Sequence, residues 1–386
     1  MRIGIDYTPA ITQHAGIGRF TRSLVDALVR IDSRNEYVLF YADPSRSGRS
    51  YVAATAPHRN VVERPIPVSD RTLTILWHRL GLPLGVDLFT GPVDVFYSPN
   101  YALAPLRRGA SIVTVHDLSF LVEPQCADAR LRAFLEKVVP ESVGKASFVT
   151  TDSEHTRNDV ICLLDVPAHR TEVVYGGVDP SFGRVTDPAR LEAVRRKHRL
   201  QFPFILHVGV IEPRKNIPTL IRAYAKLRAR RRLRHKLVLA GGLGWLYHDV
   251  FHEIEAQMLG DDVVLTGFVP DEELPTLYSL ADAMVWPTLY EGFGLPPLEA
   301  MACGTPVVCS NRSSLPEVVG DAALTVAPTD VDGLTDAMER VLFDEETRTD
   351  LIARGYTRPP LFTWEKAAHK LVSCFPRAHE ARRIRR

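Results

Sequence analysis

Glu291-Gly292-Phe293-Gly294-Leu295-Pro296-Pro297-Leu298-Glu299-Ala300 is the most informative stretch of the chain, and its flanks decide the fold. Ala283-Met284-Val285 before it and Pro306-Val307-Val308-Cys309 after it are apolar runs of strand length. Leu298–Ala302 between them reads as a helix, with Pro297 suited to a first helical position, where its missing N–H is no loss. A strand, a helix and a second strand in that order form one unit of a parallel sheet covered on both faces.

The same alternation extends in both directions. Further strands are expected at Phe204–Val208, Lys236–Ala240, Val263–Thr266 and Leu324–Val326. Helices are expected at Ile217–Arg232, Asp249–Gln257, Asp271–Ala281 and Asp332–Phe343. An earlier series has strands at Arg2–Asp6, Tyr37–Tyr41, Val93–Tyr97, Ser111–Val115 and Ser147–Thr151, with helices at Arg19–Arg30, Arg130–Val143 and Glu154–Leu163. Pro140 should kink or end the second of these helices. The two series meet near Tyr175-Gly176-Gly177-Val178-Asp179-Pro180, whose glycines and proline suit a hinge. The 386 residues therefore divide into two domains of ordinary size.

Composition narrows the function. The chain is 45% hydrophobic and 24% charged, with no apolar run of the ~18 residues that crossing a membrane requires. The start, MRIGIDYTPA, enters a strand without the apolar stretch of a signal peptide, so a cytoplasmic location is expected. Five scattered cysteines show neither disulfide nor zinc spacing. A net charge of +1 argues against nucleic acid as a partner. Two basic runs, Arg228–Lys236 and Arg382–Arg386, read either as solvated faces or as contacts with an anionic membrane surface.

Four further features carry chemistry. Gly16 and Gly18 follow the first strand and open a helix, where backbone N–H groups can approach a phosphate. Thr21 replaces the third glycine of a dinucleotide fingerprint, so a diphosphate turn fits better than a dinucleotide site, against the plainer reading of an ordinary strand–helix turn. His116-Asp117 closes a buried strand at the end that faces ligands in open sheets, as either a sugar contact or a structural histidine. Arg214-Lys215 follows the strand at Phe204–Val208; a fork and a point charge there suit a pyrophosphate that gains charge on leaving. Glu291 and Glu299 supply two carboxylates. Eight residues of helix would separate them by roughly 12 Å, and the loop leaves the distance open, so spacing alone does not exclude glycoside hydrolysis. The basic pair argues against it, because a hydrolase has no diphosphate to hold.

With the Gly16–Gly18 turn, His116-Asp117-Leu118, Ser153, Gly177-Val178-Asp179, Arg214-Lys215, Gly267-Phe268-Val269 and Glu-x7-Glu in order, the chain resembles the retaining glycosyltransferases of family four. HDLSFLVEP and FTWEKAA are most similar to bacterial mannosyltransferase-like members. The resemblance implies an α/β chain of two Rossmann-like domains facing each other across a cleft (GT-B). The N-terminal domain would span 1–177 and take back the C-terminal helix at 362–386; 178–361 would bind the nucleotide sugar. It implies that Glu299 binds ribose hydroxyls and Glu291 the donor sugar, helped by backbone N–H groups of Phe293, Gly294 and Leu295. Arg214 and Lys215 would neutralise the diphosphate with Gly16 and Gly18, Phe268 and Val269 would lie against the base, and His116 would touch the sugar.

No cofactor or metal is implied, and no Asp-x-Asp loop is present. GDP-mannose is the first expectation for donor and a UDP-sugar the second. The expected acceptor is a glycan or lipid-linked chain of a surface polysaccharide, with peripheral contact at the inner face of the membrane. A nucleotide-sugar-binding protein without turnover and a nucleotide-sugar epimerase on the same fold are the alternatives.

Overall fold

The computed structural model describes residues 1–13, 16–45 and 60–384. Two compact units are present: Met1–Leu118, Ala133–Gly177 and Thr363–Arg386 form the first, and Ser119–Arg132 with Val178–Phe362 the second.

The first unit holds seven parallel strands: β1 (Arg2–Asp6), β2 (Glu36–Ala42), β3 (Val61–Ile66), β4 (Val95–Ser98), β5 (Ala110–Val115), β6 (Phe148–Thr151) and β7 (Thr171–Val173). Their order across the sheet is β3-β2-β1-β4-β5-β6-β7. Helix Ile17–Ile31 buries Leu24, Val25 and Leu28 against Ile3 and Ile5 of β1, an interior strand. Ala368, Leu371 and Phe375 of the last helix, Trp364–Ile384, complete the same core. Each fully buried Leu or Phe contributes about 1.5–3 kcal/mol of hydrophobic stabilisation, so this helix is an integral part of the first unit rather than an appendage.

The second unit repeats the pattern with β8 (Phe204–Val208), β9 (Lys236–Ala240), β10 (Val263–Gly267), β11 (Ala283–Trp286), β12 (Val307–Ser310) and β13 (Ala323–Val326). The order is β10-β9-β8-β11-β12-β13, again all parallel. Strand β8 is buried along its whole length, which is why it reads as an apolar run broken only by His207. Ile205, Leu239 and Val285 of the sheet meet Leu220 and Tyr224 of helix Ile217–Arg230 and Met338 of helix Val331–Phe343.

Several expectations need correction. Ser119–Arg132 groups with the second unit, where Trp245 Nε1 donates to the Cys126 carbonyl at 2.7 Å. Phe362 also belongs there: its carbonyl accepts from Val178 N at 3.0 Å and its ring packs on Phe293. Pro140 does not end its helix, which runs Ala129–Lys145. Pro140 has no N–H to give to the helix ladder, and it sits at an exposed position of this helix. The glycine at 177 answers a packing demand: a Cβ there would stand 2.3 Å from the Trp364 nitrogen.

Candidate active site

In the second unit, the C-terminal ends of two adjacent parallel strands assemble the charged centre. The loop after β8 carries Glu212, Arg214 and Lys215, and the loop after β11 carries Glu291. Arg214 donates to Glu291 Oε2 at 2.9 Å, to Glu212 Oε1 at 2.8 Å and to the Tyr290 carbonyl at 2.9 Å. Lys215 Nζ donates to Glu291 Oε1 at 2.6 Å. Leu289 N–H closes the assembly on the Arg214 carbonyl at 2.9 Å. The two loops are thus locked by charge-assisted hydrogen bonds, roughly twice as strong as neutral ones.

Lys215 and Glu291 are both buried, and this sets their electrostatics. Burial pushes the Lys215 pKa below its ordinary value, the Arg214 charge adds to that, and Glu291 and Glu212 offset part of it. Burial would raise Glu291, but Arg214 and Lys215 outweigh it and hold the carboxyl below the usual range. Glu291 is therefore a carboxylate, and the loop presents two cations beside it.

The segment after Glu291 is pinned from β12's following loop. Ser314 Oγ donates to the carbonyls of Glu291 at 3.0 Å and Phe293 at 2.7 Å, while Ser313 Oγ accepts from Glu291 N–H at 2.8 Å. Gly294, at φ 111°, starts helix Leu295–Ala302, and a Cβ on it would meet Leu315 Cδ2 at 2.7 Å. No side chain fits that conformation and space together. The helix begins three residues before the expected Leu298, so Pro296 and Pro297 both sit in its first turn, where Pro is tolerated. Glu299 is accordingly its fifth residue, not part of its first turn. It is 1% exposed and accepts from the Tyr278 hydroxyl at 3.1 Å.

Phe268 and Val269 follow the Gly267 turn at the end of β10, where Gly267 has φ 69°. Phe268 is 63% exposed and presents an open ring face, whereas the Val269 side chain is buried.

The first unit holds Gly16, Gly18 and His116. Gly16 has φ 55°, starts helix Ile17–Ile31 and has open space where a Cβ would stand. Gly18 differs: a Cβ there would stand 1.9 Å from the Gln13 carbonyl oxygen, so its lack of a side chain is explained by the chain's own backbone. His116 and Asp152 are the residues next after Val115 and Thr151, a register pair of β5 and β6. His116 Nδ1 stands 2.6 Å from Asp152 Oδ2, and Nε2 is 2.7 Å from the Pro99 carbonyl. A carbonyl only accepts, so Nε2 carries a proton. Phe20 and Tyr101 pack edge-on to the ring at 5.0 and 5.5 Å. Burial would lower the His116 pKa, but Asp152 and the Pro99 carbonyl reverse this and leave it raised. Asp152 is raised too, by burial. The structural reading of His116 accounts for both ring nitrogens.

Glu212, Trp286, Tyr278, Ser313, Ser314 and Asp152 were not singled out by sequence. Only Glu212 carried a signal, as the neighbour of the Arg-Lys pair. Among the described residues no cluster suited to a metal ion occurs.

Comparison with known proteins agrees with this architecture. The Glycosyltransferase Family 4 model matches residues 14–182 and the Glycosyl transferases group 1 model residues 192–358. The chain is 36% identical over 282 residues to the O-antigen chain mannosyltransferase B of Escherichia coli, covering 73% of this chain and 74% of that protein. It is 34% identical over 388 residues to the serotype-specific mannosyltransferase WbdA of the same organism, covering 95% of this chain but 46% of that longer protein. The sucrose-phosphate synthase structure from Thermosynechococcus elongatus superposes with a TM-score of 0.74 at 21% identity, covering 99% of this chain and all of that one. Two parallel Rossmann-like units of six and seven strands, this neighbour and those matches give the GT-B fold. The chain belongs to glycosyltransferase family 4, among members similar to bacterial mannosyltransferases.

Proposed function

We propose that the enzyme transfers a hexose, with mannose the first choice, from a nucleoside-diphosphate sugar to a glycan or lipid-linked acceptor in surface polysaccharide synthesis, with retention of configuration. GDP-mannose is the favoured donor and a UDP-sugar the second. The observation that carries this is the Arg214–Lys215 pair held on one loop by Glu291. The two named mannosyltransferase relatives support the choice of mannose.

In this reading Lys215 and Arg214 meet the diphosphate and stabilise the charge that develops as it leaves. Glu299 holds the ribose with Tyr278 behind it, and the exposed Phe268 ring lies against the base. Gly16, with open space where a Cβ would stand, leaves the backbone at its helix start accessible to an anionic ligand. Glu291 accepts from sugar hydroxyls through its remaining lone pairs, with backbone N–H groups from Phe293 to Leu295. His116, fixed by Asp152 and Pro99 within the first unit, is a rigid group rather than a mobile hydrogen-bond donor.

Glu291 is a poor covalent nucleophile, since both oxygens are tied to cations. Front-face displacement fits better: the C1–phosphate bond breaks, the acceptor oxygen bonds to C1 on the same face, and its proton passes to the departing phosphate oxygen. No metal ion or cofactor has a role in this scheme.

Peripheral contact with an anionic membrane, and with it a location at the inner face, draws less support from the Arg228–Lys236 run than expected. Arg228 pairs with Asp262, Arg230 with Asp336, and Arg231 with Glu339, all within the second unit. Arg385 and Arg386 of the terminal run lie outside the described residues. No helix among the described residues is long and apolar enough to cross a membrane.

The test is transfer from GDP-mannose and UDP-hexoses to oligosaccharide acceptors, with the product anomer read by NMR. An α-linked product from an α-donor supports the reading. An inverted product, or donor hydrolysis without transfer over the whole acceptor panel, would reject it.

A further inference from the structure

Lys215 rests on an aromatic stack that the assignment of the clamp does not require. Its Nζ lies 4.5 Å from the centroid of the Trp286 ring, and the His207 ring stacks on Trp286 at 4.8 Å and 19°. Trp286 is the last residue of β11 and His207 the fourth of β8, so two paired strands carry the stack. Gly209 leaves room for it: a Cβ there would come 3.0 Å from the far edge of the Trp286 ring.

We propose that Trp286 is a positioning residue for Lys215, holding the ammonium against its ring face so that the cation stays buried and directed at the donor diphosphate. This rests on the assignment of Lys215 to that diphosphate. An ammonium has three N–H donors. Glu291 takes one of them at 2.6 Å, and no other hydrogen bond to Nζ is formed among the described residues. A second carboxylate in place of the ring would neutralise the cation and compete with phosphate for it. A ring face attracts the cation through its quadrupole and adds no anionic charge.

The neighbours of Lys215 fit this role. Arg214 and Glu212 lie on its own loop, Glu291 on the loop after β11 and His207 on β8. His207 Nδ1 is 3.0 Å from the Val285 carbonyl and therefore carries the proton, while its Nε2 is buried without a partner among the described residues. Burial, aided by the Lys215 charge, pushes the His207 pKa to about 4. The ring is neutral at pH 7, so it supports Trp286 without adding a second positive charge beneath the ammonium.

The experiment compares Trp286→Phe and Trp286→Leu with wild type in donor turnover, in affinity for GDP and UDP, and in the alkaline limb of kcat/KM. Trp286→Leu should lose roughly 3- to 30-fold in kcat and in diphosphate affinity, the span of a cation–π contact. Its alkaline limb should move to lower pH. Trp286→Phe, which keeps a ring face, should recover most of both. A Leu variant that folds, turns over normally and keeps its alkaline limb overturns the proposal, as does a Phe variant that is no better than Leu. If the Leu variant does not fold, fluorinated tryptophan at all four tryptophans, against the same replacement in Trp286→Phe, keeps the shape and weakens the ring face. The alkaline limb should then move only where Trp286 is present, and an unmoved limb overturns the proposal. Lys215→Ala separates the two levels. Normal activity in Lys215→Ala would remove the clamp assignment itself. A damaged Lys215→Ala beside a normal Trp286→Leu would remove only the role of Trp286.

Discussion

Lys215 Nζ and Glu291 Oε1 lie 2.6 Å apart, although 76 residues separate them in the chain. Strands β8 and β11 are neighbours in a parallel sheet, so the loops at their C-terminal ends converge. One carboxylate there binds two cations; Lys215 and Glu291 are too buried to be screened by solvent, while Arg214 is partly exposed. The pair links the two sequence stretches that carry the family resemblance, and it sets most of the chemistry that follows.

Replacing Lys215 by Ala removes the buried point charge and leaves Glu291 with Arg214 alone. We expect kcat to fall about 10²–10³-fold, the scale of losing one preorganised charge-stabilising donor. Steady-state kinetics with saturating donor checks this; a kcat within threefold of wild type contradicts it.

The Glu299 site can be probed through the residue that sequence reasoning missed. Tyr278→Phe removes only the hydroxyl that donates to Glu299 Oε2. The variant should raise the donor KM roughly 2- to 12-fold, the span of one lost hydrogen bond, with little change in kcat. Glu299→Ala should weaken donor binding further. A loss confined to kcat in either variant would argue against a ribose role.

Gly294 tests the helix start. Gly294→Ala places a Cβ at φ 111° and 2.7 Å from Leu315. A destabilisation of about 1–3 kcal/mol is expected from the strained backbone, visible as a lower Tm, together with a higher donor KM. An unchanged Tm would mean that the loop relaxes freely.

The His116–Asp152 pair gives the fold a pH dependence. His116 has its pKa raised in the folded state, so the stability its proton confers is fully present below the unfolded value of 6.5 and is lost as pH rises through the folded value. Asp152 is raised as well and acts in the same direction. Wild-type Tm should therefore fall as pH climbs from 6 towards 9, at roughly constant salt, more steeply than in Asp152→Asn. Parallel profiles for the two proteins would show that the pair is not the source.

The sheets were legible where strands are buried on both sides. Arg2–Asp6, Phe204–Val208 and Lys236–Ala240 read directly from their apolar runs. The missed strands β3 and β7 lie at the two edges of the first sheet. Val61–Ile66 contains Glu63, Arg64 and Pro65, since one side of an edge strand faces solvent. Thr171–Val173 is three residues long and gives no periodicity to detect. The charged pair at 214–215 and the glutamates were legible because polar residues beside apolar strands stand out. Trp286, Tyr278 and Asp152 were not, because an aromatic residue at a strand end or a carboxylate before a helix cap has ordinary structural explanations. Their partners lie 21 to 79 positions away in the chain, and only the folded sheets and their helices bring them together. The roles of Gly16 and Gly18 separated for the same reason: the backbone segment that fills the space beside Gly18 is visible only in three dimensions.

The central claim is that Arg214 and Lys215 form a clamp for a diphosphate, and calorimetric titration of GDP against GMP tests it most directly. Wild type should bind the diphosphate at least about tenfold more tightly, since a second phosphate gains charge-assisted hydrogen bonds. That preference should collapse in Lys215→Met, which keeps the side chain's length without its charge, while GMP affinity stays nearly constant. Equal affinities for GDP and GMP in wild type, with the same comparison failing for UDP and UMP, or a preference that survives in Lys215→Met, would contradict the account.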